Sequence, residues 1–253
     1  MVDTRNIVIL TGAGISAESG VPTFRTKSGT TYWEVYEDDL VPKYHRVEDV
    51  CTPEALARDA ALVHRFYDGR RAALGRVAPN PAHAALARLD REWRGELLIV
   101  TQNVDDLHER AGARRMLNMH GALNSALCAS CGARRAWEGS LPPGTACADC
   151  AAPALRPDIV FFGEMPYHMG AIERALATCD LFVSIGTSGA VYPAAGFVQT
   201  ARYHGAATLE LNLERSAGSA WFGETRLGPA SELVPAWVDE ALAQSTQSSP
   251  ISR

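Results

Sequence analysis

Ile7-Val8-Ile9-Leu10, closed after Thr11 by Gly12-Ala13-Gly14-Ile15-Ser16-Ala17, is the stretch that decides the fold. A short apolar run ending in a glycine-rich turn reads as a buried parallel strand that feeds a helix, here beginning near Ser16. The turn fits G-x-G-x-x-A, where missing side chains let a diphosphate approach backbone N–H groups at a helix N-terminus. Taken alone the motif is weak. The acid expected about 20 residues downstream for a hydride-transferring dinucleotide enzyme has no obvious place, which disfavours a dehydrogenase.

Further strands are expected at Leu97 to Val100, Leu181 to Ile185 and Thr208 to Leu213. Thr52-Pro53 with Glu54 opens a helix by capping logic, and the spacing of Leu62, Phe66 and Leu74 predicts another over about 59 to 75. Pro79 and Pro81 punctuate the helical stretch that follows. Strands alternating with helices imply an α/β, Rossmann-like, doubly wound parallel sheet. Residues 21 to 50, with Pro22, Gly29, Pro42 and the acidic Glu37, Asp38 and Asp39, show no sustained period and read as a long loop. The polar tail, residues 244 to 253, is expected to fray.

The chain has 253 residues, 47% hydrophobic and 21% charged, which suits a single catalytic domain over 1–253 carrying a small inserted module. A net charge of -5 offers no broad basic surface, so neither nucleic acid nor an anionic membrane is an expected partner. No secretion signal or membrane-length apolar run is evident, and a cytoplasmic location is expected.

Between about Gly121 and Arg156 the sequence turns to cysteines, prolines and small residues. Cys128, Cys131, Cys147 and Cys150 form C-x2-C-x15-C-x2-C, a spacing that presents four thiolates to one zinc ion. Two disulfides are the alternative, disfavoured by a reducing compartment. Four thiolates close the coordination shell, so the zinc is expected to be structural. Only Arg134 and Arg135 add local positive charge, too little for a nucleic-acid ribbon.

Gly186-Thr187-Ser188, and Asn212 with Glu214, place polar groups at the carboxyl ends of predicted strands, where such sheets bind ligands. Thr101-Gln102-Asn103-Val104-Asp105 and Met119-His120-Gly121 also follow strands and should face one crevice. Each alone is open to reading as a turn or cap, and a lone histidine is commonly structural. His45, His64, His83, His108, His168 and His204 are left under that reading.

As an ordered set these segments, with Pro22-Thr23-Phe24-Arg25, Phe161-Phe162-Gly163-Glu164 and Asn212-Leu213-Glu214, resemble the sirtuin family of NAD-dependent protein-lysine deacylases over about residues 5 to 240. The resemblance implies that NAD lies between the large domain and the zinc module. It implies a cofactor surface of Gly12, Ala13, Gly14, Ile15, Ser16, Ala17, Phe24, Arg25, Gln102, Asn103, Val104, Asp105, Gly186, Thr187, Ser188, Asn212, Leu213, Glu214 and Ala230. Asn103 and Asp105 would hold the nicotinamide carboxamide, and His120 would act as general base on a ribose hydroxyl. The products would be nicotinamide, free lysine and an O-acyl-ADP-ribose. Backbone groups of Val160, Phe161, Phe162 and Gly163 would pair with the acylated substrate peptide as an added strand.

Phe66-Tyr67-x-x-Arg70-Arg71 resembles the pattern of members that remove succinyl and malonyl groups, the bacterial CobB type included. Three-residue spacing puts Tyr67 and Arg70 on one helix face, and a planar guanidinium suits a carboxylate. Cys51 stands where such relatives tend to have alanine, and Thr26 where the family usually has glycine. Mono-ADP-ribosyl transfer to protein, through the same NAD cleft, is the alternative activity. A nucleotide-sensing module without turnover is a third reading.

Overall fold

The structure is a computed structural model, and it describes residues 4–22, 25–27, 30–36 and 42–247. Phe24, the cluster Glu37 to Asp39 and residues 248–253 lie outside the described residues. In chain order the elements are β1 (Ile7–Thr11), α1 (Ala13–Ala17), β2 (Arg25–Lys27), β3 (Thr30–Tyr36), β4 (Pro42–Arg46), α2 (Val47–Val50), α3 (Pro53–Arg58), α4 (Ala60–Ala73) and α5 (Pro81–Glu92). They continue with β5 (Leu97–Thr101), α6 (Leu107–Ala111), β6 (Met116–Asn118), β7 (Gly121–Cys128), β8 (Arg134–Ala136), β9 (Leu155–Ile159), α7 (Met169–Thr178), β10 (Leu181–Ile185), α8 (Phe197–Tyr203), β11 (Ala207–Asn212), β12 (Glu224–Leu227) and α9 (Ala230–Gln247).

Six strands form one sheet in the order β12-β11-β10-β1-β5-β6, and every neighbouring pair is parallel. Alternation along β1 explains why both faces are covered. Ile7 and Ile9 join a core with Leu86, Leu89, Val234 and Trp237 of α5 and α9, while Val8 and Leu10 join Ile172, Leu176, Phe197 and Val198 of α7 and α8. From β1 the chain runs outward through β5 and β6, then returns to β10 on the other side. The switch point therefore lies between the carboxyl ends of β1 and β10, where ligands of such sheets bind.

Local signals set several boundaries. Thr52 Oγ1 accepts from the Ala55 amide at 3.0 Å, capping α3 as its sequence predicts. Asp59 caps α4 through the Leu62 amide at 2.9 Å, and Asn80 caps α5 through the Ala82 amide at 2.9 Å.

The structure corrects several expectations. The helix expected near Ser16 begins at Ala13, because Gly12 is already its N-cap. The long loop over residues 21 to 50 instead contains the antiparallel sheet β2-β3-β4 and the helix α2. Thr30-Thr31-Tyr32-Trp33-Glu34-Val35-Tyr36 is rich in β-branched and aromatic residues, and that preference outweighs the flanking breakers. The strand expected to reach Leu213 ends at Asn212, which leaves Leu213 exposed. The tail does not fray from residue 244: α9 continues to Gln247, extending a helix whose Val234, Trp237, Val238 and Ala241 pack on the sheet.

The inserted module is a second antiparallel sheet, ordered β8-β7-β9, so it extends to Ile159 rather than ending at Arg156. Its own core is small: Ala126, Cys128, Leu141, Cys147 and Leu155. A third cluster, containing Val50, Cys51, Phe66, Tyr67, Leu123, Ile159 and Phe161, joins α2 and α4 to this sheet. Among the described residues no helix is long and apolar enough to cross a membrane.

Candidate functional site

At the switch point two glycine turns interlock. The Gly12 amide donates to the Ile185 carbonyl at 3.0 Å, and the Gly14 amide to the Gly186 carbonyl at 2.8 Å. A Cβ on Gly14 would lie 2.7 Å from the Gly186 Cα, and one on Gly12 would lie 2.8 Å from the Gly186 oxygen. Gly186 itself has φ +62, a conformation that favours glycine. The glycines of G-x-G are thus demanded by close approach of two backbones, before any ligand is considered. Gly14→Ala is expected to cost about 1–3 kcal/mol by overpacking and to weaken any ligand contact made by this turn. Thermal unfolding and initial-rate measurements check this, and an unchanged melting temperature would show that the turns are not tightly packed.

Ser16 sits behind this turn as a junction. Its Oγ accepts from Asn103 Nδ2 at 3.0 Å, and Asn103 Nδ2 also donates to the Gly12 carbonyl at 3.2 Å. His83 Nδ1 accepts from the Asn80 amide at 3.3 Å, so in its neutral form the proton sits on Nε2, 3.4 Å from Ser16 Oγ. Burial drives His83 down to about 4, and His108, which adds repulsion from His83 to its burial, down to about 3. Both imidazoles are therefore neutral supports. Asp105 is buried, and desolvation raises its pKa against lowering bonds from the Leu107 amide and Ser16 and the nearby Arg70. The Val104 carbonyl accepts from the Leu123 amide at 2.8 Å, which ties this loop to β7. Val104 and Asp105, with Asp106, Glu109, Arg110, Ala122 and Asn124, line a recess of about 370 Å³.

His120 follows β6 and immediately precedes β7. Its Nδ1 lies 3.0 Å from the Gln102 carbonyl. A carbonyl only accepts, so Nδ1 carries the proton and Nε2 keeps a lone pair in the neutral ring. Burial lowers the His120 pKa, partly opposed by the same bond. Gly121, with φ +86, lets β7 cross β9 here, since a Cβ would meet the Asp158 oxygen at 2.0 Å.

Thr187 Oγ1 pairs with Ser184 Oγ at 2.9 Å, and the Thr187 carbonyl accepts from Asn212 Nδ2 at 2.8 Å. Gly186, Thr187, Ser188 and Asn212 thus form one rim across β10 and β11. Glu214 is exposed and Ala230 half-buried at the start of α9. Ser231, the next residue, donates through its amide to Glu18 at 3.0 Å, which holds that helix end near α1. The backbone of Arg25 pairs with Tyr32 in the β2-β3 hairpin.

On α4, Tyr67 is 1% exposed and its hydroxyl donates to Cys51 Sγ at 3.2 Å. Desolvation first, then Cys51, raises the Tyr67 pKa well above the ordinary phenol value. Arg70 is half-buried beside it, its guanidinium carbon 5.9 Å from the Phe66 ring centre. Desolvation lowers the Arg70 pKa while Tyr67, Cys51 and Asp105 raise it. Phe161 stacks on Tyr67 at 6.0 Å, and Arg156 covers Phe161 at 4.7 Å. The Val160 amide donates to the His120 carbonyl, the Phe161 amide to Glu164 Oε2 and the Phe162 amide to the Cys51 carbonyl. Among the described residues these three amides are committed, which leaves Gly163 as the one amide of Val160 to Gly163 outside these bonds.

The four cysteines approach one another within 4.8 Å. Cys128 and Cys150 are 3.7 Å apart at sulfur, and Cys131 and Cys147 are 3.8 Å apart. Tetrahedral Zn–S bonds of about 2.3 Å require S···S near 3.8 Å, whereas a disulfide needs about 2.05 Å. The donor set fits zinc, and the disulfide alternative does not fit.

Interlocked glycine turns at the switch point of a parallel sheet, with an insert whose four clustered thiols could hold a metal ion, define the α/β nucleotide-binding class. The Sir2 family profile matches residues 12–193. The NAD-dependent protein deacylase of Caulobacter vibrioides is 51% identical over 242 residues, covering 94% of this chain and 97% of that protein. A Sir2 homologue complexed with ADP-ribose superposes with a TM-score of 0.83 at 33% identity, covering 98% of this chain and 95% of that one. A Sir2 homologue in complex with NAD gives a TM-score of 0.81 at 35% identity, over 94% and 91% of the two chains. The chain belongs to the Sir2 family.

Sequence reasoning left His83 and His108 as structural histidines, and they are buried and neutral. It missed that His83 reaches Ser16. The N-P-x-H run at Asn80 to His83 is the available signal, because a histidine at the third helical position can close a capping box.

Proposed function

We propose that this NAD-dependent protein deacylase removes succinyl, malonyl and acetyl groups from lysine side chains, with His120 as general base. The observation that carries the reading is the commitment of His120 Nδ1 to the Gln102 carbonyl, beside Asn103 and Asp105. Bound NAD supplies an electrophilic ribose carbon, with nicotinamide as the leaving group. Asn103 Oδ1 and the Asp105 carboxylate supply acceptors for a carboxamide, and their buried setting keeps water from competing. His120 Nε2 takes a proton from a ribose hydroxyl, and the imidazolium returns it when the amine departs. The Gly12 to Ala17 and Gly186 to Ser188 turns, with Asn212, Leu213, Glu214 and Ala230, provide the adenosine diphosphate surface.

The acylated lysine enters alongside Val160 to Gly163, where the Gly163 amide and the Val160 and Phe162 carbonyls offer strand-like pairing. Tyr67 and Arg70 receive the acyl carboxylate. The Cys51 thiol already occupies the Tyr67 hydroxyl, so a carboxylate must compete with sulfur, a weak acceptor, for that donor. The Cys128, Cys131, Cys147 and Cys150 module takes one structural zinc. A cytoplasmic site of action agrees with four thiols spaced for a metal.

The test is nicotinamide release from NAD with acetyl-, malonyl- and succinyl-lysine peptides of one sequence. Release that needs no acyl-lysine would overturn the deacylase reading, and label from NAD fixed on protein would favour ADP-ribosyl transfer. Arg70→Met is expected to lower kcat/KM on succinyl-lysine about 10- to 100-fold more than on acetyl-lysine, the worth of a charge-assisted bond. Equal loss on both peptides would make Arg70 a support of the fold.

A further inference from the structure

Helix α4 carries a second set of polar side chains, one position along from Tyr67 and Arg70. The Asp68 carboxylate accepts from the Leu141 amide at 3.0 Å, from Ser140 Oγ and from Arg71 Nη1 at 2.6 Å. Arg71 is 5% exposed. Its Nη1 also donates to the Gly139 carbonyl at 2.9 Å, and its Nε to the Leu123 carbonyl at 2.6 Å. One turn earlier, His64 Nδ1 donates to the Leu141 carbonyl.

These bonds have two separate destinations. Asp68, His64 and one arm of Arg71 hold the Gly139 to Leu141 segment of the insert. The Nε of Arg71 holds β7, whose first residue, Gly121, directly follows His120. Tyr67 and Arg70 lie on the same two turns of helix, about 100° away from Asp68 and Arg71 per residue of offset. A buried guanidinium bonded to carbonyls of two elements fixes both the rotation and the height of the helix that bears it.

We propose that Arg71, braced by Asp68, is a positioning residue that sets the distance between the acyl-carboxylate partner Arg70 and the base His120, and so helps determine acyl specificity. The inference rests on the reading of Arg70 given above. It also explains why adjacent arginines differ in role: Nε and Nη1 of Arg71 are committed to Leu123, Gly139 and Asp68. Lysine keeps the charge but has no planar fork with which to meet those acceptors together.

The experiment measures kcat/KM on succinyl- and acetyl-lysine peptides of one sequence for wild type, Arg71→Lys, Arg70→Met and the double variant, with NAD KM and melting temperature for each. Arg71→Lys is expected to lower the succinyl-to-acetyl ratio about 10-fold or more, as a displacement near 1 Å does, with NAD KM within about twofold. In the double variant the ratio is expected to fall no further than in Arg70→Met, because Arg71 acts through Arg70. An unchanged ratio in Arg71→Lys, or additive losses in the double variant, would overturn the proposal while leaving Arg70 as the carboxylate partner. An unchanged ratio in Arg70→Met would overturn the underlying reading and this inference with it. If Arg71→Lys does not fold, Asp68→Asn carries the same test, since it keeps an acceptor for Leu141 and removes the ion pair.

Discussion

His120→Tyr is expected to reduce NAD-dependent deacylation by about 10²- to 10⁴-fold, the usual worth of a positioned general base. The replacement phenol stays protonated near neutral pH and has no lone pair basic enough to take a ribose proton. The Gln102 carbonyl holds Nδ1–H in wild type, so Nε2 is presented as a base without any tautomeric cost. Folding should survive, because the Val160 bond in this region uses the His120 backbone carbonyl rather than the ring. Melting temperature and NAD binding serve as controls, and turnover equal to wild type would remove His120 from the mechanism. The pH profile follows from the lowered pKa, for which burial is the main cause. In the proposed mechanism the neutral ring is the base, so kcat/KM should hold steady through neutrality and fall only as pH drops through a value below 6.5. A profile measured from about pH 5 to 8 checks this, with an acid limb centred above the ordinary imidazole value as the contrary result.

Zinc removal should have the second large effect. The module's core consists of five buried residues, two of them the thiols Cys128 and Cys147, which is too little apolar surface to hold three short strands together. Structural zinc contributes about 10–16 kcal/mol of apparent binding free energy in small peptide modules. Chelation or Cys147→Ser is therefore expected to take bound zinc from one per chain to none, lower the melting temperature and abolish turnover. Activity should fail because β9 leads directly into Val160 to Gly163, and because Gly139 to Leu141 clamps α4. Metal analysis, thermal unfolding and recovery on zinc addition to the chelated protein test this. Full activity in a metal-free chain would refute the structural role.

The parallel sheet was readable because its buried strands are short apolar runs, such as Leu181 to Ile185, whose ends coincide with the observed strand. The cluster of Cys128, Cys131, Cys147 and Cys150 was readable because each C-x2-C pair is local. The β2-β3-β4 hairpins were not, since the breakers Gly29 and Pro42 flank the strand-preferring run Thr30 to Tyr36 and interrupt any sustained period. The Arg71 anchors were also hidden: Leu123 and Gly139 lie 52 and 68 residues away in sequence, and nothing local marks a carbonyl as a partner.

What the sequence by itself determined is the kind of chemistry. The ordered set from Gly12 to Glu214 carries the α/β alternation, the four thiolates and the family resemblance, because these depend on residue identity and short spacing. Only the tertiary structure decided how those parts act. Folding makes Gly12 and Gly14 the packing partners of Gly186, so their small size serves backbone contact across a switch point. It also assigns Nδ1 of His120 to Gln102, and commits Arg71 to the carbonyls of Leu123 and Gly139. Those outcomes depend on where distant backbone oxygens lie in space, which residue identities and short spacings do not specify.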